Sequence, residues 1–182
     1  MNREKSGFSI VELIVTISIL IIINAVVFAS YPKFQQSISL RRTGQEIASI
    51  IYQAQTYALS VKEFQGQFPG YGAHFDKATF DSFVLFADLN KNYLYDFDIE
   101  KVEEFKIQTG DRIVEICGTN DTGEDCGLGK SNIIFERPKT VAILNDDIDP
   151  SKPFSNIKIT IRSSRGQEKT INVWLSGQIS VK

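Results

Sequence analysis

The sequence predicts an α+β protein. A long N-terminal helix, half transmembrane and half amphipathic, should pack on a C-terminal antiparallel β-sheet head. Three observations predict this. No charged residue occurs between Leu13 and Pro32. Apolar residues then recur at helical spacing as far as Val61. After Gly70 the pattern changes to strand-like alternation, with Asp, Asn, Gly and Ser frequent between the apolar runs. The 182 residues suffice for one globular domain plus an extra element. A formal net charge of −2 argues against a generally basic surface of the kind that holds nucleic acid. There is no internal repeat and no low-complexity tract.

The apolar run within KSGFSIVELIVTISILIIINAVVF, residues 5–28, is about long enough to cross a hydrocarbon core as a helix. A removable secretory signal would use residues 2–6 as its charged region and Val27-Phe28-Ala29 as its cleavage site. Against it, the run exceeds the usual signal length and carries Glu12. An ordinary signal anchor is not oriented by charge, since Arg3 and Lys5 precede the span while Lys33, Arg41 and Arg42 follow it.

A third reading uses every one of these features. Gly7-Phe8-Ser9-Ile10-Val11-Glu12-Leu13 resembles the N-terminus of type IV prepilins and type II secretion pseudopilins. The resemblance implies a leader over residues 1–7, cut after Gly7 by a cytoplasm-facing prepilin peptidase, and N-methylation of Phe8. It implies a transmembrane polymerisation helix over 8–31, an amphipathic continuation over 32–65 and a β-rich head over 66–182. It also implies a single-pass protein of the bacterial inner membrane with an extracytoplasmic head, later assembled with other pilin or pseudopilin subunits. A carboxylate in lipid is expensive unless it finds a partner. The resemblance supplies one for Glu12: the Phe8 amine of a neighbouring subunit, a pairing that would set the axial register. Before assembly Glu12 can snorkel to the headgroups.

Beyond the span, Leu40, Ile47, Ile51, Ala54, Ala58 and Val61 form one stripe. Gly44 lies on it and would permit close backbone approach. Pro32 should bend or locally break the helix near Ser30 and Tyr31. A helix from Ser9 to about Lys62 would be roughly 80 Å long, longer than a soluble domain of this size needs.

Strands are expected over residues 71–75, 79–87, 103–108, 112–117, 132–136, 140–144, 156–162, 169–175 and 178–181. Alternation is clearest at Ile157, Ile159 and Ile161 and at Ile171 and Val173, joined by a hairpin over residues 163–167. Tyr71-Gly72-Ala73-His74-Phe75, Phe83-Val84-Leu85-Phe86-Ala87-Asp88, Ile134-Phe135-Glu136-Arg137-Pro138 and Leu175-Ser176-Gly177-Gln178-Ile179 resemble minor pilins and pseudopilins of the GspH/FimT kind. This likeness is looser than the N-terminal one.

Two local groups of residues point to chemistry. Asp88, Asn90, Asn92 and Asp96 have the spacing of oxygen ligands in a calcium loop, with the Leu94 carbonyl as a further ligand. Tyr93 replaces the usual sharp-turn glycine, and the closing acid falls one place late at Glu100 or early at Asp98. The same residues also suit an acidic, solvated turn. Cys117 and Cys126 bracket a polar loop and outside the cytoplasm read as a disulfide. Two thiols without partners do not make a zinc site. His74, the sole histidine, reads as structural. No nucleophile–base set is recognisable, so the chain reads as a non-enzyme that requires no cofactor, with calcium the one candidate ligand. The competing function is a binding module at the fibre tip, for DNA uptake or adhesion, with a membrane-anchored enzyme as a third and disfavoured class. Lys158, Arg162, Arg165, Lys169 and Lys182 could touch DNA there, although a solvated hairpin is the preferred reading of that cluster.

Overall fold

A computed structural model describes residues 7, 9–97, 99–139, 141–148 and 153–182. They form two compact units that divide between Ile38 and Ser39. The fold class is α+β.

Helix α1 runs over Ile10–Leu59. It is unbroken at Pro32, so the expected local break near Ser30 and Tyr31 does not occur. Proline withholds one N–H. A full break would free several backbone groups in an apolar stretch, where unpaired groups are far more costly. In the first unit, Ile10–Phe28 is a 19-residue stretch of mean hydropathy 2.7 with no residue buried. It is long and apolar enough to cross a membrane. Its three uncharged polar side chains donate to carbonyls within the helix. Thr16 donates to the Leu13 carbonyl at 2.9 Å, Ser18 to Ile14 at 2.8 Å and Asn24 to Leu20 at 2.7 Å.

The second unit holds the rest of α1 and ten strands in two antiparallel sheets. The first sheet contains β1 (Gly70–Asp76), β2 (Ser82–Asp88), β3 (Lys101–Lys106), β6 (Lys130–Phe135) and β7 (Ala142–Asn145), in the order β3-β2-β1-β6-β7. The second contains β4 (Arg112–Asn120), β5 (Gly123–Asp125), β8 (Asn156–Arg162), β9 (Glu168–Trp174) and β10 (Ile179–Val181), in the order β10-β9-β8-β4-β5. The β8–β9 hairpin pairs Arg162 with Glu168 and turns through Gly166 at φ 85°. Glycine adopts that left-handed conformation without strain.

One core draws on the helix and both sheets. Leu40, Ile47, Ile51, Ala54 and Ala58 are buried, as the helical stripe requires, and pack in one cluster with Tyr71, Phe75, Leu85, Phe135, Ile159 and Ile171. Val61 leaves the stripe because it lies beyond the end of α1, at φ 61° and partly exposed. Gly44 does allow a close approach: a Cβ there would lie 2.9 Å from Val181 Cγ1.

The strand ends differ where local hydrogen bonding intervenes. The strand expected to open at Thr79 opens at Ser82. Asp76 instead accepts from the Ala78 N–H at 2.7 Å and caps a 3-10 turn over Lys77–Thr79. The strand expected from 103 begins at Lys101, and the one expected from Thr140 begins at Ala142. Thr140 itself lies outside the described residues. β5 has only three residues, all exposed, so no alternation marks it.

Candidate functional site

At the head of the apolar segment, Ser9 caps α1. Its Oγ accepts from the Val11 N–H at 3.3 Å, and its carbonyl accepts from Leu13 at 3.1 Å. Glu12 lies in the first turn and is exposed. A carboxylate there faces the positive end of the helix dipole. Sequence reasoning missed this role of Ser9, although Ser9-Ile10-Val11-Glu12 carries the Ser-x-x-Glu signal of a capping box. Gly7 is exposed, and a Cβ added to it would meet nothing within 4 Å. Among the described residues nothing crowds this position. Phe8 lies outside the described residues, and so does its expected pairing with Glu12.

The segment between β2 and β3 brings together the five expected oxygen ligands. Asp88 Oδ1 accepts from the Asn92 N–H and Oδ2 from the Tyr93 N–H, each at 3.2 Å. The amides of Asn90 and Asn92 converge on Asp96 Oδ2, at 2.6 and 3.2 Å. Glu100 Oε1 accepts from Leu89 at 2.8 Å and Oε2 from Asp96 at 3.0 Å. Glu100 thus closes the loop, one place later than the standard spacing. Asp98, the earlier alternative, lies outside the described residues. Tyr93 has φ 62°, so it takes the left-handed conformation at the position where a calcium loop carries glycine. It is held there: its hydroxyl donates to Glu136 at 3.1 Å, and its carbonyl accepts from Asn145 at 2.7 Å.

The electrostatics of this loop are unfavourable at neutral pH. Asp88 is 2% exposed and Glu100 0% exposed. Burial, then the nearby Glu100 charge, pushes Asp88 up to about 6. The residues fit a hard cation in part. Asn90 and Asn92 turn their nitrogens toward Asp96, and rotating each amide would offer oxygens at the same point. That rotation would give up the bonds from the Asn92 and Leu94 N–H groups to the two amide oxygens, at 3.0 and 2.8 Å.

Cys117 and Cys126 form a disulfide. Glu115 lies with these two cysteines in a grouping of metal-ligand type. Bonded to each other, the sulfurs cannot serve as thiolates. His74 is buried on β1, with Nδ1 2.7 Å from Asn132 Oδ1, and burial holds its pKa below the ordinary value. In the basic cluster, Lys158 is paired with Glu124, and Arg162 lies 2.6 Å from Glu168. The acidic partners reduce the cationic field of that hairpin. Sequence reading also missed a buried polar lock between helix and loop: Thr43 donates to Asp111 at 2.7 Å, and Thr109 to the same oxygen at 2.5 Å. Nothing in the spacing joins residues so far apart.

The chain matches no protein-family model, no curated protein and no solved structure.

Proposed function

We propose that the chain is a non-enzymatic minor subunit of a type IV pilus or type II secretion pseudopilus. In this reading a peptidase cuts it after Gly7, Phe8 becomes the methylated N-terminus, and the apolar helix carries it from the inner membrane into a fibre. The observation that carries the reading is the exposed span Ile10–Phe28, with one carboxylate in its first turn and an uncrowded glycine before it. A span with no buried residue needs lipid or other copies to cover it. A small, uncrowded residue there suits the specificity of a processing enzyme.

Glu12 supplies the test. Replacing it with alanine removes an intramembrane carboxylate, so processed protein should persist in membranes. Assembly should fail, because the Phe8 amine of the next subunit would be buried without its counter-ion, a loss of about 3–5 kcal/mol. The ratio of processed protein in sheared fibres to that in membranes should fall at least tenfold. Normal incorporation of Glu12→Ala would leave Glu12 as a helix-capping or snorkelling residue only.

Within the same reading, Asp88, Asn90, Asn92, Asp96 and Glu100 hold a calcium ion that offsets the charge of the buried acids. The binding-module alternative is weakened for DNA by the Lys158–Glu124 and Arg162–Glu168 pairs.

A further inference from the structure

A cleft of about 180 Å³ opens on the first sheet, lined by residues of β1 and β2, by Tyr95 and Phe97 from the segment that follows, and by charged residues of β3 and β6. His74 decides its chemistry. The Asn132 amide nitrogen donates to Asn145 Oδ1 at 3.0 Å and to Asp147 Oδ1 at 2.8 Å. Its oxygen is therefore the atom that faces His74, and Nδ1, 2.7 Å away, carries the hydrogen. Burial disfavours the imidazolium. The ring is thus a neutral Nδ1–H tautomer whose Nε2 is a bare acceptor. His74 is 6% exposed and lines the cleft. An imidazole nitrogen that carries no hydrogen accepts one, so the cleft suits a ligand that donates.

The rest of the lining narrows the ligand. Lys101 lies 2.6 Å from Glu104, and Lys130 lies 3.7 Å from Asp76. The two cations and two anions around the cleft offset each other, leaving no excess charge to hold an ion. Tyr95 stands 4.8 Å from the His74 ring, centroid to centroid, and Phe97 is 70% exposed. Exposed π-faces attract C–H groups that carry partial positive charge. These features suit a neutral ligand with hydroxyl donors on its edge and a C–H face. The volume is below the range of about 300–1,000 Å³ that suits drug-sized molecules, so the ligand is small.

From this combination we infer that the cleft binds a single neutral sugar ring, whose hydroxyl donates to His74 Nε2 and whose C–H face lies on Phe97. The inference stands on the second unit alone and does not depend on fibre assembly.

His74 is the only histidine, so its ring nitrogens can be read without ambiguity in full-length, untagged, 15N-labelled protein in detergent. The probes are methyl β-glucopyranoside, methyl β-galactopyranoside and N-acetylglucosamine at millimolar concentration. One of them should shift the Nε2 resonance in a saturable way while Nδ1 keeps its proton. Saturation transfer to that sugar's ring protons should fall about tenfold, roughly 1.4 kcal/mol, in Phe97→Ala and persist in Phe97→Trp. Phe97 is exposed, so folding is not at risk in either variant. An Nε2 signal indifferent to all three sugars would overturn the inference, as would binding unaffected by Phe97→Ala. A response to acetate or methylammonium but to no sugar would overturn it as well, in favour of an ion site.

Discussion

Asp88 and Glu100 meet at the residue scale as two buried carboxylates with like charge. Asp88 in the folded chain holds its proton up to about pH 6, above the 3.8 of an unperturbed group. The folded state then binds more protons than the unfolded one between these values, and stability falls as pH rises through that window. The loss is about 3 kcal/mol for a shift of this size. Full-length protein in chelator should therefore lose melting temperature from pH 4 to pH 7 more steeply than its Asp88→Asn variant. Calcium at pH 7 should restore most of the difference in the parent and little in the variant. A melting temperature indifferent to calcium and chelator would leave the loop as a self-satisfied acidic turn. The grouping of its side-chain oxygens was legible in the sequence because alternate Asp and Asn turn inward around such a loop. The left-handed Tyr93 was not, because its conformation is fixed by Glu136 and Asn145, which lie far along the chain.

At the scale of elements, periodicity carried most of the prediction. The β8 strand occupies the expected residues because Ile157, Ile159 and Ile161 all face the core. Side-chain hydrogen bonds displaced other boundaries, as Asp76 did at the start of β2. Pairing order within the two sheets could not be read, since it depends on which strands share a face rather than on any one strand. Gly72 shows how tight that pairing is. A Cβ there would lie 2.7 Å from the Phe86 ring and 2.8 Å from the Ile133 carbonyl oxygen. The backbone contact cannot yield as a side chain can. Gly72→Ala should destabilise the protein by about 1–3 kcal/mol, measurable by denaturant unfolding, whereas Gly129→Ala, where nothing lies within 4 Å, should change stability by less than about 0.5 kcal/mol.

For the whole molecule, the central question is what the exposed span Ile10–Phe28 is for. Three fates remain distinguishable: removal as a signal, retention as a simple anchor, or processing at its head followed by assembly. The Cys117–Cys126 disulfide suits any fate that places the second unit outside the cytoplasm. It should be recovered as a bridged peptide from native material by non-reducing mapping, and two free thiols would contradict that placement. The three fates part at the N-terminus. Intact-mass and N-terminal peptide analysis of protein purified from its native membranes and sheared fibres decides among them. The fibre-subunit account predicts a chain beginning at Phe8 with one added methyl group, and no mature product when Gly7 is replaced by a bulky residue. A chain beginning after Ala29, or one retaining residues 1–7 in the membrane, would contradict it.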